Sequence, residues 1–378
     1  MANFTLSLLI GPGVPVPAPR AVIEALTSVS VNHDQTRSGF QLSFAVSKDS
    51  ALLKTMLPAG FFDPISTRVV VIATLKGFPH VLIDGLVTQQ QLQPSSDPGG
   101  STLTITGEDL SLAMDVVALT KPYPAMPDVA TVLAVLAPYL ALGIVPMVIP
   151  PIIPVIRSPT TIVKSQVNMT DRAYLRQLAQ NCGYVFFVRP GPAPMSSIAY
   201  FGPDTGLPVP QPALSINMDA HSNVDTLSFT LDGLAKKLRI YTILDPITKK
   251  IPIPIPVPNI NLFKPPLGAR PTPLLPAKIE WASDIAKLSP DEAAQTVLGY
   301  LLDKDNSAAI RGNGSLDSLR YGHVLQSRAL VGVRGAGLAY DGMYFVDSVS
   351  HAIKKGSYTQ SFALSRDGLI SNTPRVPL

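Results

Sequence analysis

The chain has 378 residues, of which 46% are apolar and only 15% charged, whereas about a quarter are charged in an ordinary globular domain. This length predicts two or three domains, and the low charge density predicts that partner proteins cover much of the surface. The net charge is +4 and no Lys/Arg run exceeds two residues, which excludes the basic stripe of a nucleic-acid-binding protein.

The single cysteine, Cys182, cannot form an internal disulfide, which is typical of proteins made in a reducing compartment. The N-terminal residues lack the basic segment and the cleavage site of a secretory signal peptide. We therefore expect the protein to assemble in the cytoplasm. Residues 1–19 are apolar and Pro-rich, and this pattern leaves open whether they form an extended arm or an unpaired end.

The first third of the chain has the alternation of apolar and polar residues that is typical of half-buried strands. Turn-forming clusters separate these stretches, as in antiparallel sheets. A short helix is predicted at 50–57, where Pro58 ends it, and a helical stretch at 108–117 closes the unit. Strands in this number are enough for a small barrel. The predicted strands are 22–33, 40–46, 68–75, 81–89 and 101–106.

Residues 129–156 contain no charged residue, and their length alone would suggest a transmembrane helix. Several prolines would break such a helix repeatedly, and irregular backbone is not tolerated in lipid. We predict a buried helix at 127–142 that Pro138 kinks or ends, followed by an extended arm. A membrane-active role for residues 129–156 is kept as an alternative.

The clearest helix signal begins after a capping residue, Thr170 or Asp171, and ends at Gly183. A strand is predicted directly after it, at 184–188. Apolar residues recur on one side of this helix, so the opposite side is expected to be solvated. The apolar face comprises Tyr174, Leu175, Leu178 and Ala179, and the solvated face comprises Arg172 and Arg176.

The C-terminal part resumes the strand pattern at 214–219, 224–231 and 237–243. Residues 251–263 then place proline at alternate positions, which removes the donors that one side of a ladder needs. This tract is predicted to be an edge strand or a polyproline-like arm, and 265–276 continues it as a Pro-rich linker.

A helix is predicted at 289–304 because its start signals agree with one another. Ser289 is suited to the N-cap, Pro290 to the first helical position, and Glu292 completes a capping box. Residues 306–320 are rich in Gly, Asn and Ser and are predicted to form a loop.

The last strands repeat the layout of the first ones. Residues 344–351 (YFVDSVSH) correspond to 82–89 (LIDGLVTQ), and a turn and a further alternating strand follow each. A chance similarity of two ordinary meanders is the alternative. The repeat predicts a mainly β chain with an α+β middle region, in which two similar small antiparallel β-barrel domains flank a helix-containing domain. The predicted domains are 1–118, 119–213 and 214–378, the last two with Pro-rich insertions.

Motifs for the common catalytic chemistries are missing from the sequence. The five histidines form no HExxH motif, and there is no P-loop, no GxGxxG after a strand and no GxSxG elbow. Asp84, Glu108 and Asp109 come closest to a catalytic cluster, but their positions are typical of turn and capping acids. His351 is predicted to be a packed or surface residue, and Cys182 a small core residue. We therefore expect no catalytic residue, cofactor or metal.

Four segments, in the same order, resemble the hub proteins of contractile-tail baseplates, namely the phage late control D proteins and the hub portion of VgrG spikes. They are LIDGLVT with STLTITGEDLSLAMD, the helix and strand MTDRAYLRQLAQNCGYVFFV, the barrel opening SNVDTLSFTLDG and the closing passage GMYFVDSVSHAIKKGSYTQSFALSRDGL. The Pro-rich tracts at 144–156 and 251–276 depart from the family pattern, and we predict that they are insertions that contact neighbouring proteins.

This resemblance implies a non-enzymatic homotrimer in which each subunit contributes two similar barrels to one ring. Such a ring approximates six-fold symmetry, and it joins a hexameric tail tube to a trimeric spike. The implied partners are further copies of the chain, a spike protein, a tube protein and other baseplate proteins, without nucleic acid or stable membrane insertion. The spike is expected to be a separate polypeptide. A low charge and a high apolar fraction agree with an obligate interface.

A tail-associated cell-wall hydrolase and a membrane-active protein are the alternative functions. For the hub, two strands and the Pro-rich arm are predicted to be exposed edges that contact neighbours. The candidate interface residues are Val69, Val71, Ala73, Leu75, Ala329, Val331, Val333, Ile253, Ile255 and Val257.

Overall fold

Strands make up most of the regular structure, and most of their pairings are antiparallel. The prediction of a mainly β chain is therefore confirmed. The computed structural model describes residues 4–34, 37–96, 100–124, 126–151, 164–204, 207–244, 252–257, 266–270, 278–282, 297 and 308–372.

The N-terminal β unit consists of seven strands and three short helical segments. Its strands are β1 (Phe4–Pro12), β2 (Val16–Pro17), β3 (Leu26–His33), β4 (Ser38–Val46), β5 (Thr67–Leu75), β6 (Phe78–Gln93) and β7 (Ser101–Asp109). Its helical segments are α1 (Arg20–Ala25), a π-helical turn (Leu52–Met56) and a 3-10 helix (Leu110–Met114). Across the sheet the strands lie in the order β3-β4-β7-β6-β5-β1-β2.

The middle unit combines helices with two small sheets. Its strands are β8 (Ala118–Tyr123), β9 (Ile144–Val148), β10 (Lys164–Thr170), β11 (Val185–Pro190) and β12 (Ser197–Gly202), and its helices are α2 (Asp128–Leu136), a 3-10 helix (Ala137–Leu142) and α3 (Asp171–Asn181). β12 lies between β11 and β9, and β8 pairs with β10. Buried side chains of both α-helices and of the β9-β12-β11 sheet form one apolar cluster.

The C-terminal β unit contains the main strands β13 (Leu207–Ser215), β14 (Thr226–Leu231), β19 (Ile310–Asp317), β20 (Ala329–Arg334), β21 (Gly342–Lys354) and β22 (Ser357–Arg366). Smaller strands are β15 (Lys237–Leu244), β16 (Pro252–Val257), β17 (Gly268–Arg270), β18 (Lys278–Ala282) and β23 (Leu369–Ser371), and the helical segments are a 3-10 helix (Asp219–His221) and α4 (Ser318–Tyr321). β15 lies between β16 and β18, whereas β17 pairs with β23.

The two β units share one strand order, β3-β4-β7-β6-β5-β1 in the first and β14-β19-β22-β21-β20-β13 in the second. Both place a short helical segment between the third and the fourth equivalent strands in chain order, β4 and β5 in the first unit and β19 and β20 in the second. Both also carry a one-residue register shift in the long hairpin. The repeat predicted from the sequence is thus present in the topology. The units differ at one end, because β13 runs parallel to β20 whereas β1 runs antiparallel to β5.

The β3 and β21 strands pair with each other in antiparallel register, from Ser28 opposite Lys354 to His33 opposite Val349. This pairing joins both units into one continuous sheet of 13 strands. Among the described residues, β1 and β3 form no ladder with each other, so the first unit is not closed by its own hydrogen bonds. The two β units are therefore connected through one sheet.

Each unit nevertheless has its own apolar core. Ile10, Leu42 and Ile105 are fully buried in the first, Leu175 and Phe201 in the second. The third core contains fully buried Leu214, Val331, Tyr344 and Leu364. The domain boundaries predicted at 118/119 and 213/214 stay predictions.

The N-terminal segment, which the sequence leaves as an arm or an unpaired end, includes strand β1. β1 pairs with β5 along its whole length, from Phe4 opposite Leu75 to Pro12 opposite Thr67. The predicted strand at 22–33 begins with helix α1 and becomes extended at Leu26.

Pro138 ends α2 as predicted, because the α-helix stops at Leu136 and a 3-10 helix with this proline in its first turn follows. The arm predicted after it is wrong in part, since β9 is a strand that pairs in parallel with β12. Residues 152–163 of this tract lie outside the described residues.

Helix α3 is confirmed, with the Thr170 hydroxyl accepting a hydrogen bond from the Ala173 amide and Gly183 at a φ of 67° after its end. Its predicted apolar face is buried. The prediction that Arg172 is solvated is wrong, because this side chain is buried between acidic residues of the N-terminal unit.

The loop predicted at 306–320 is wrong, because 310–317 forms β19 between β14 and β22. A Cβ at Gly314 would lie 2.4 Å from the Thr226 carbonyl oxygen and 2.7 Å from the Phe362 ring. The glycines here therefore admit neighbouring groups to a strand rather than forming a loop. The helix predicted at 289–304 lies outside the described residues, apart from Val297.

Candidate functional site

The four interface candidates of β5 lie in the core of the N-terminal unit. Val69, Val71 and Ala73 are fully buried and Leu75 is 3% exposed. β5 is hydrogen-bonded on one side to β1 and on the other to β6, so it is not an edge strand. The edge predicted here is wrong because the N-terminal segment supplies the missing neighbour.

The three candidates of β20 are also buried within the chain. Ala329, Val331 and Val333 are fully buried, the two valines in the core of the C-terminal unit. β20 lies between β13 and β21, so its predicted edge is also occupied within the chain. Their side chains are therefore covered by other residues of the same chain.

The remaining candidates lie on β16, which among the described strands is the outer strand of its three-stranded sheet, as the alternating prolines predict. Ile255 is partly exposed, whereas Val257 is buried at 4% exposure. The backbone of Ile253 pairs with Ile243, and its side chain lies outside the described residues. Contact of this strand with a neighbouring chain stays a prediction.

The same small sheet has an apolar face that the sequence analysis did not single out. Ile279 and Trp281 alternate along β18 and are 58% and 71% exposed. The pattern Lys-Ile-Glu-Trp-Ala, with Glu280 on the opposite face, is the signal that could have identified it. Residues opposite them in the ladder share this face, namely Leu238, Ile240 and Pro256.

The three acids that came closest to a catalytic cluster each have a structural partner. Asp84 binds Arg68 with two hydrogen bonds of 2.7 and 2.6 Å, in a strand and not in the predicted turn. Asp109 caps the 3-10 helix after β7 by accepting from the Ser111 amide, as predicted. Glu108 accepts from Arg172 at 3.0 Å.

Ion pairs connect the middle unit to both β units. Arg68 also donates to the Leu142 carbonyl at 3.0 Å, and the Ser197 hydroxyl lies 3.4 Å from Asp84. Between the middle unit and the C-terminal unit, Arg328 donates a hydrogen bond to Asp204 at 2.7 Å. The Arg328 guanidinium also stacks 4.0 Å above the Phe187 ring of β11. These polar contacts fix the orientation of the middle unit.

A buried polar cluster lies where the two β units join. His351 is 2% exposed, so it is a packed residue, and its Nδ1 lies 2.8 Å from the Tyr358 hydroxyl. Gln360 is fully buried and accepts from the Leu325 amide and from Ser318. Burial holds the pKa of His351 well below 6.5, and the nearby His33 lowers it further. His351 is therefore neutral in the folded protein at pH 7.

Arg366, the last residue of β22, is fully buried and is held by backbone carbonyls and an aromatic ring. It donates to the carbonyls of Gly368, Asp341 and Ala339 at 2.7 to 3.1 Å, and stacks 4.4 Å from the Tyr344 ring. Burial lowers the pKa of its guanidinium from the ordinary value. Arg366 thus links the turn at 367–368 to the turn at 338–341.

Within the described part of the chain, no three His, Cys, Asp or Glu residues are grouped so that they could hold a metal ion. Cys182 is buried in the core of the middle unit, as predicted. No helix of the described ranges is long and apolar enough to cross a membrane.

No protein-family model matches the sequence, and no curated protein matches it. Solved structures do match. A tail protein from Neisseria meningitidis MC58 has a TM-score of 0.59 at 12% identity, with 96% of each chain covered. The 43 kDa tail protein of prophage MuSo2 from Shewanella oneidensis has a TM-score of 0.62 at 12% identity, with 96% of this chain and 98% of that chain covered.

A chain of the Francisella PdpA–VgrG complex also matches, with a TM-score of 0.57 at 7% identity. The match covers 100% of this chain but 55% of that chain. Structural matches at identities this low show that the fold is shared. The chain therefore has the fold of these tail proteins and of a chain of the PdpA–VgrG complex. This is the fold that the four sequence segments predicted.

Proposed function

We propose that this protein is the structural hub of a contractile tail or a phage-like injection particle. It acts as a homotrimer that joins a hexameric tail tube to a trimeric spike. The observation that carries this proposal is the strand order that occurs twice in one chain, in two units joined through β3 and β21. Three such chains present six similar units, so one ring matches a six-fold partner on one side and a three-fold partner on the other.

A role that depends on interfaces rather than on catalysis has further support. The acids and histidines described above are engaged in ion pairs, caps and a buried network, which stabilise the fold. The fold is shared with tail proteins. We infer that the chain is not an enzyme, and that its partners are a spike protein, the tube and other baseplate proteins of the assembled particle.

The solution mass of the purified chain, measured by light scattering on a sizing column, tests the trimer. We expect a mass near three times 40.2 kDa. Within this proposal β16 is the neighbour contact, so Ile255→Lys is expected to reduce the trimer fraction. Val209→Lys is the matched control, because this β13 residue is 74% exposed and lies outside β16.

A chain that stays monomeric both alone and when co-expressed with its spike protein would contradict the hub. A cell-wall hydrolase would instead degrade purified peptidoglycan, and a single acid substitution would abolish that activity. A membrane-active protein would float with liposomes through residues 129–156.

A further inference from the structure

The long strand β21 contacts both β units. Its first residues pair with β20 of its own unit, and on the same side its residues 349–354 pair with β3 of the N-terminal unit. Strand β22 lies along its other side. Ile353 of β21 and Tyr358, which lies opposite it on β22, belong to the core of the N-terminal unit. The end of this hairpin therefore covers a neighbouring unit of the same fold.

Strand β6 is the equivalent of β21 in the N-terminal unit, because each takes the fourth place in its strand order. The first part of β6 pairs with β5, as that of β21 pairs with β20. Residues 89–93 of β6 continue the ladder with β7 on one side. Among the described strands, none pairs with their other side. This open edge corresponds to the edge of β21 that binds β3.

Strand β14 is in turn the equivalent of β3, because each is the first strand in the order of its unit. The described strands leave one side of β14 open, whereas the same side of β3 pairs with β21. Exposed strand edges usually carry charges or prolines that prevent pairing. Neither 89–93 nor β14 contains a charged residue or a proline, and both expose leucine, with Leu92 at 44% and Leu231 at 38%. Both edges are therefore suited to accept a further strand.

The register shifts of the two hairpins assign the equivalent positions. The shift follows Val87 in β6 and Val346 in β21. From each shift a row of directly opposite residues crosses its unit. The rows are Val87, Gly107, Phe40 and Val31 in the first unit and Val346, Leu364, Gly312 and Phe229 in the second.

Val31 and Phe229 are thus equivalent. Within the chain Val31 lies opposite His351, five residues after Val346. Five residues after Val87 comes Leu92. The repeat therefore places Leu92 opposite a Phe229 that a second copy of the chain supplies.

We propose that β14 of one copy pairs in antiparallel register with residues 89–93 of the next copy, as β3 pairs with β21 inside each chain. Gln91 then lies opposite Ser228 of the partner subunit, where Ser350 lies opposite Asn32 within the chain. One such junction within each chain and one between copies close a ring of three chains. This inference rests on the proposed hub function, and it adds the edges and the register through which the copies meet, separately from β16.

Disulfide cross-linking of the assembled full-length protein tests this pairing. Directly opposite residues of a ladder have Cα separations that a disulfide can span. The double variant Gln91→Cys with Ser228→Cys changes two exposed side chains, and the native Cys182 is buried. After oxidation with copper phenanthroline, we expect reducible species of two and three chain masses on a denaturing gel, at least tenfold more than in the control.

The matched control is Gln91→Cys with Val209→Cys, because Val209 is 74% exposed on β13 and lies outside β14. If the first variant does not fold by circular dichroism, Gln93→Cys with Thr230→Cys replaces it. These residues are the next exposed pair in the same register, and the same cross-linked species are expected.

Light scattering on the same samples separates this inference from the hub function. A trimer that cross-links no more than the control would overturn the strand pairing and leave the hub proposal standing. A chain that stays monomeric, also when co-expressed with its spike protein, and forms no cross-link would contradict both.

Discussion

His33 and His351 face each other across the β3–β21 pairing, with ring centroids 5.4 Å apart and nearly perpendicular planes. Burial lowers the pKa of His33 from 6.5 to about 4, although a hydrogen bond to the Leu82 backbone opposes the shift. His351 shifts in the same direction, chiefly through burial. Two neutral imidazoles therefore lie at the place where the two β units join.

This pair predicts a loss of stability in mild acid. The unfolded chain binds protons below a pH of about 6.5 while the folded chain does not, so stability is complete above that pH and falls as the pH approaches 4. From His33 alone we expect about 2 kcal/mol less free energy of unfolding at about pH 5 than at about pH 7.5. Urea unfolding at both pH values measures this difference in the free energy of unfolding.

The matched comparison is a double variant, His33→Gln with His351→Gln, against His221→Gln at an exposed site. The double variant should lose less stability than wild type between the two pH values, whereas the exposed variant should behave like wild type. Equal pH dependence in all three proteins would show that other groups cause the acid loss.

At the scale of the element, the β4–β7–β6 ladder requires a close approach that a side chain would prevent. A Cβ at Gly107 would lie 2.2 Å from Cζ of Phe40 and 2.4 Å from the carbonyl oxygen of Leu86. The Phe40 ring is buried in the core of the N-terminal unit, so it cannot move aside without disturbing that core. The glycine therefore allows the aromatic ring to cover β7.

Gly107→Ala is expected to destabilise the chain by about 2 to 3 kcal/mol, because overpacking forces the ring or the strand to shift. Gly233→Ala is the control, since nothing lies within 4 Å of a Cβ there. Denaturant unfolding compares the two variants. A Gly107→Ala protein as stable as the control would show that β7 tolerates the added methyl group.

At the scale of the whole molecule, buried charges join the N-terminal unit to the middle unit. The side chains of Arg68 and Asp84 are 6% and 0% exposed, and they contact Leu142 and Ser197 across the junction. Such a pair adds little net stability compared with apolar residues, yet removing one partner leaves an uncompensated buried charge. The pair therefore specifies how the units dock.

We expect Arg68→Met or Asp84→Leu alone to cost about 3 to 5 kcal/mol, and the double variant to cost clearly less than the sum. A double-mutant cycle by urea unfolding measures this coupling. Lys54→Ala removes an exposed ion pair to Asp49 and should change stability little. Additive losses in the cycle would contradict the assigned role of the pair.

Local patterns determined much of the element inventory. The capped helix after Thr170, the buried position of Cys182, the edge strand with alternating prolines and the repeated strand layout follow from spacing, caps and turn residues. These signals act within a few residues of one another, so a single sequence contains them. The Pro-rich insertions carry no such repeat, and their neighbour contacts stay predictions.

Only the tertiary structure decided which strands are edges and which charges meet. The sequence predicts β5 and β20 as edge strands, but β1 and β13 occupy their free sides from distant parts of the chain. The helical pattern predicts a solvated Arg172, yet this side chain is buried and forms ion pairs with Glu108 and Asp115 of preceding segments. Arg37, Arg176, Arg189 and Arg328 come from four separate segments and line one cavity. Periodicity reports which face of an element is apolar, whereas long-range packing determines what covers that face.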